Sequence, residues 1–150
     1  MKKIGLLLTL LAVFANAEFV RTEKGTVKDT VTNLEWQDSY KDKDGNEADT
    51  KKNNWYTAIS YCHDLDLDGK GWRLPNINEL KTLIVDTQYA PSISDKFKHT
   101  VNDNSYWSST TFHNNDSRAF VISFSDGVLF WQQKNYYTST NNIRCVRDGQ

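Results

Sequence analysis

Apolar positions along this chain keep two different periods. Trp55, Ala58, Ile59, Cys62 and Leu65 recur three and four residues apart, which predicts a helix over about Trp55 to Leu65 with one buried face, capped by Asn53 or Asn54. Ile77, Leu80 and Ile84 repeat that spacing and predict a second helix from Ile77 to about Val85. Its start is marked by chemistry. Asn76 stands at the N-cap and Glu79 three positions on, so each side chain can satisfy a backbone N–H of the first turn. Pro75 holds Leu74 extended and stops the helix from starting earlier.

Elsewhere the period is two. Phe19-Val20 and Thr26–Asp29 read as short strands around a turn at Gly25, and Leu34 and Trp36 share one face after Asn33. Tyr106–Thr110 reads as a strand, and Phe120, Ile122 and Phe124 alternate in the next. Asp126-Gly127 is a two-residue hairpin signal before Val128–Gln132, and Ile143–Arg147 closes the chain as one strand. Residues 38–54, 87–104 and 134–142 are polar and unpatterned; the middle one is long enough to be functional or folded on itself. Strands, two helices and strands again predict an α+β domain, with two helices beside a small antiparallel sheet and long polar loops.

Residues 1–17 stand apart. Lys2 and Lys3 precede the apolar run Ile4–Phe14, and Ala15-Asn16-Ala17 supplies small residues for cleavage before Glu18. This is the pattern of a signal peptide, and the run is short for a membrane span. The mature domain is then 18–150, a soluble chain bound for the periplasm, the cell surface or the medium, and not inserted in a membrane. Without Lys2 and Lys3 its 16 basic residues face 19 acidic ones, a formal charge of −3. That balance argues against nucleic acid as a partner. Cys62 and Cys145 are the only cysteines, and in an exported protein such a pair reads as one disulfide.

Little catalytic chemistry shows in the pattern. Asp64, Asp66 and Asp68 with Gly69 imitate the start of a calcium loop, but Pro75 stands where the bidentate acid belongs, so this is a weak candidate and no metal is expected. His63, His99 and His113 share no ligand spacing. No phosphate loop or nucleophile elbow occurs, and no cofactor or enzymatic activity is expected. Trp72, Arg73, Pro75, Asn76, Glu79 and Trp107 read as architecture, with Arg73 expected to pair with a carboxylate or cap backbone carbonyls.

Ala58 with Cys62, Gly71-Trp72-Arg73-Leu74-Pro75-Asn76, Glu79-Leu80, Tyr106-Trp107-Ser108-Ser109-Thr110, Gly127 and Ile143-Arg144-Cys145-Val146-Arg147 follow one another in a specific order. Together, with Thr26–Asp29 and Leu34–Gln37 before them, they resemble the Lcl C-terminal domain family, once called domain of unknown function 1566. The resemblance implies a C-type-lectin-like fold, related to that of formylglycine-generating enzymes, and placement outside the cytoplasm. The family's best-described member is an adhesin module that binds sulfated glycans. This chain lacks that adhesin's collagen-like repeats. It also lacks the Glu-Pro-Asn, Gln-Pro-Asp and Trp-Asn-Asp ligands of calcium-dependent lectins.

In a lectin-like fold the loops before the last strand help form the ligand face. That points to Trp131, Lys134, Asn135, Tyr136, Tyr137 and Asn142 as a binding site for a glycan or an envelope or surface protein: rings to stack, amides to hydrogen-bond, one cation. An enzyme of the formylglycine-generating type and a structural envelope subunit that binds other proteins are the two alternatives.

Overall fold

The computed structural model describes residues 18–41, 44–48, 50–101, 105–135 and 140–149. The leader pattern, Tyr136 and Tyr137 lie outside them. The described chain is α+β, with two sheets rather than one. Strands β1 (Phe19–Arg21), β2 (Thr26–Asp29) and β3 (Leu34–Gln37) meander antiparallel, and β9 (Val146–Asp148) joins β3. The second sheet has the order β4 (Lys51–Asn53), β8 (Asn141–Ile143), β5 (Tyr106–Thr111), β6 (Arg118–Ile122), β7 (Leu129–Gln133), with β5 and β8 parallel and the other pairs antiparallel.

The expected single closing strand is therefore two. Ile143 pairs with Lys51 in one sheet and Val146 with Trp36 in the other, and the chain changes sheets at Arg144-Cys145. Alternation of side chains reports a strand but not its partner, so the pattern could not show the break. Cys145 is bonded to Cys62 at the crossing, with S–S 2.03 Å, and both are fully buried. The bridge ties the crossing to helix α1 (Trp55–Asp64).

Both helices start where the caps place them. Asn54 Oδ1 accepts from Thr57 N at 2.9 Å, and helix α2 (Ile77–Lys81) carries the full capping box, Glu79 N to Asn76 Oδ1 at 2.9 Å and Asn76 N to Glu79 Oε2 at 2.8 Å. Helix α2 ends at Lys81, short of the expected Val85. Leu83 N and Ile84 N bond three residues back, to Leu80 O and Lys81 O, and Val85 N turns to Ser92 O. The helical spacing of Ile84 thus continues in a tighter turn that feeds a bridge to Ile93.

The apolar residues form two clusters. One holds Trp36, Leu80, Leu83, Ile93, Tyr106 and Phe124; the other packs Ala58, Cys62 and Trp72 of the α1 side against Trp107, Val121 and Ile143. Strand β6 feeds both, Ile122 into the first and Val121 into the second, so its sheet is covered on both faces. The segment after Thr87 is folded onto the core where it is described: Ile93 and Phe97 are buried, and Ser92 N bonds Phe124 O at 2.7 Å. The β6–β7 hairpin turns through residues 123–128, not through two; Gly127 N bonds Ser123 O with Gly127 at φ 74°.

Candidate functional site

The hairpin register builds one aromatic surface. Phe120 stands opposite Trp131, and Arg118 opposite Gln133, so Arg118, Phe120 and Trp131 share a face. That face is core at its Ile122–Leu129 end and emerges to solvent at Trp131, which is 41% exposed on edge strand β7. The turn from β5 to β6 adds a third element. Phe112 N bonds Arg118 O at 2.9 Å, which closes the turn and sets the Phe112 ring 5.7 Å from Trp131 and 5.5 Å from Phe120. The Arg118 guanidinium lies 3.7 Å from the Trp131 ring centroid, and the tilted His113 ring lies 4.8 Å from Phe112. The result is a half-exposed aromatic plate carrying a cation, a surface suited to a planar or ring-shaped ligand with an acidic group.

Only part of the expected binding set belongs there. Trp131 does, and Asn135 is exposed nearby in sequence. Lys134 is not a solvent-facing charge: it is 6% exposed, its Nζ donates to Thr111 Oγ1 at 2.7 Å, and it lies 4.2 Å over the Trp55 ring. Asn142 is fully buried, because residues 141–143 form β8 between β4 and β5 rather than a loop. Phe112 and Arg118 were not foreseen. They stand six apart across an Asn- and Asp-rich turn, and only the closed hairpin brings them beside Trp131.

The motif residues are architecture in the structure. Trp72 is 3% exposed, and its Nε1 donates to Leu67 O and Gly69 O, both at 3.0 Å. Trp107 is fully buried and donates to Asn53 O at 2.9 Å. Pro75 is buried, and its carbonyl accepts from Ser109 N at 2.8 Å. Arg73 forks onto Glu79, Nη1 to Oε2 at 2.8 Å and Nη2 to Oε1 at 2.7 Å, with Asp148 at 3.5 Å. Partial burial pushes the Glu79 carboxyl up, but the Arg73 fork and the Asn76 N–H outweigh it and hold its pKa below the ordinary value.

Asp64 at the end of α1 and the two aspartates beyond it diverge to separate partners. Asp64 meets His63 at 3.0 Å, Asp66 meets Lys70 at 3.3 Å, and Asp68 meets Lys24 at 3.2 Å. Among the described residues, no group of three His, Cys, Asp or Glu side chains is placed to hold a metal ion. No helix among them is long and apolar enough to cross a membrane.

The Lcl C-terminal domain profile matches residues 25–147, and the chain belongs to that family. Comparison with curated proteins gave no match.

Proposed function

We propose that this chain is an exported, non-catalytic binding module of C-type-lectin-like fold that recognises a glycan at Trp131, Phe112 and Arg118. The observation that carries the reading is the exposed Trp131 indole with the Arg118 guanidinium laid on it. A sugar ring stacks on aromatic carbon, and a carboxylate or sulfate on that sugar meets the cation. The leader pattern in residues 1–17, the Cys62–Cys145 bridge and the family membership support a home in the periplasm or at the cell surface. Both sulfurs are bonded to each other, which weighs against thiol chemistry of the formylglycine-generating kind.

The envelope-subunit reading keeps one observation of its own. Val128 is 51% and Phe130 37% exposed on the other face of edge strand β7 from Trp131, and a protein partner wrapping this edge could cover all three. A glycan array probed with the mature domain separates the two. Binding to acidic glycans that is lost in a Trp131→Ala, Arg118→Ala double mutant with unchanged Tm is the expected result. An empty array, with an envelope protein captured through the same residues, replaces the glycan with a protein.

A further inference from the structure

The two sheets end on four edge strands, and three of these carry a protection against further pairing. On the outer side of β9, Val146 turns its N–H and C=O to Arg73, both bonds at 2.9 Å. Strand β4 is Lys51-Lys52-Asn53 with both lysines exposed, and three-residue β1 ends on Arg21, which is bonded to Asp38. Short length, charge and cover are the ordinary protections of a sheet edge. Strand β7 has none of them. Its Leu129-Phe130-Trp131-Gln132-Gln133 carries no charge and no proline, and its pairing with β6 runs through five pairs without a bulge. The next charge along the chain, Lys134, is turned inward onto Trp55.

The ladder fixes which way the backbone of β7 points. Ser123 N donates to Val128 O at 2.9 Å and Lys134 N to Ser117 O at 2.8 Å, just beyond the two ends of the β6–β7 register. Bonded and non-bonded pairs alternate in an antiparallel ladder. Phe130 and Gln132 therefore turn their N–H and C=O to β6, and Leu129 and Trp131 turn theirs away from it. Among the described residues no strand pairs with that outer side. Two exposed rings flank it, Trp131 on one face of the sheet and Phe130 on the other.

We propose that this edge is the interface of a homodimer, in which β7 pairs antiparallel with β7 of a second copy about a two-fold axis at Phe130. Leu129 of each copy then exchanges both backbone bonds with Trp131 of the other. Phe130 faces Phe130 in the closely spaced, non-bonded pair between them. The strand is its own complement, as a two-fold interface requires. Its outward donors and acceptors meet the same set reversed, an aromatic pair closes one face, and no like charges come opposite one another. Charge along the edge, which would select a strand of different sequence, is absent. The axis stands perpendicular to the joined sheet, so both Trp131 rings come to the same face and the dimer presents two aromatic surfaces side by side. The inference stands without the glycan reading, because backbone groups and Phe130 make the pairing.

The test is sedimentation of the mature protein over a range of concentrations, with amide hydrogen exchange read residue by residue and no ligand present. The expected result is a monomer–dimer equilibrium. The Leu129 and Trp131 amides should exchange about tenfold or more slowly in the dimer, while those of Phe130 and Gln132, already bonded to β6, change little. Phe130→Lys and Phe130→Glu should each be monomeric, because like charges meet at the axis, and their equimolar mixture should dimerise again. A wild type that stays monomeric throughout overturns the proposal. So does a dimer that Phe130→Lys leaves intact, or one whose Leu129 and Trp131 amides exchange as in the monomer. A mixture of folded variants that stays monomeric overturns the pairing at Phe130. Should either variant fail to fold, the wild-type amides decide.

Discussion

Two arginines lie on two tryptophans in this molecule, and the pairs do opposite work. Arg147 sits 4.6 Å from the Trp72 ring, and Arg118 sits 3.7 Å from the Trp131 ring. The closer pair is the exposed one. Around Arg147 every direction is filled: Nε and Nη2 donate to Glu35 Oε2 at 3.0 and 2.9 Å, Nη1 donates to Asp68 O at 2.9 Å, and Trp72 is anchored by two carbonyls of the same loop. Glu35, Arg147 and Trp72 are all nearly excluded from water. Trp131, by contrast, is two-fifths exposed to solvent. A cation on a ring is worth about 0.5–1 kcal/mol when exposed and about 2 or more when desolvated. Burial, not ring distance, separates scaffold from surface.

The largest effects should fall on the buried pair. Trp72→Ala removes a large buried ring and should cost about 3–5 kcal/mol in denaturant unfolding. Glu35→Ala strands the Arg147 charge and should cost about as much. A loss under about 1 kcal/mol in either would mean the loop at 67–70 can collapse around the change, and the contrast with Trp131 would fail.

Next comes the bridge. A Cys62→Ser, Cys145→Ser double mutant should lose on the order of 4 kcal/mol, since the bond spans 83 residues of chain. Thiol titration of the unreduced, unfolded protein should find no free thiol. Two free thiols would dissolve the link between α1 and the sheet crossing.

At the exposed pair the readout changes from stability to binding. Trp131→Ala and Arg118→Ala should each shift unfolding by under about 1 kcal/mol, yet weaken binding of an acidic glycan tenfold or more, about 1.4 kcal/mol. Raising salt should weaken the wild type more than Arg118→Ala, because only the former keeps the cation. Equal loss of stability and binding would make Trp131 scaffold like Trp72.

The smallest effect belongs to Arg73. Its side chain is 44% exposed, so the fork onto Glu79 is screened, and Arg73→Ala should cost about 1 kcal/mol or less. The pH sign follows from the lowered Glu79 pKa. The contribution is present above the unfolded carboxylate range near about 4.3 and is lost as pH falls through the lower folded value. The stability gap between wild type and Glu79→Gln should therefore be open at neutral pH and close in acid. A gap independent of pH would mean the capping box acts through shape alone.

Local chemistry made much of the frame legible in the sequence. Asn54 and Asn76 place both helix starts because capping depends on residues three apart, and the meander β1–β2–β3 follows from short alternations around Gly25 and Asn33. The disulfide was legible because two cysteines behind a leader pattern have one pairing. Of the proposed surface, only Trp131 was legible in the sequence. Lys134 and Asn142 look like surface groups in a polar stretch, but burial is decided by which strands flank them, and no local period reports that.

What the sequence determined by itself is therefore whatever a few neighbouring residues can enforce: caps, turns, strand faces, the leader pattern and the likeness to a family. What the tertiary structure decided is every pairing between distant segments. It split residues 141–148 between two sheets, buried Lys134 over Trp55, and brought Phe112 and Arg118 across a hairpin to Trp131. It also enclosed Arg144 beside Asp38 and over the Phe97 ring. The physical reason is that a side chain's environment depends on nonlocal neighbours. A pattern of apolar and polar residues says that a face is covered, but not by what.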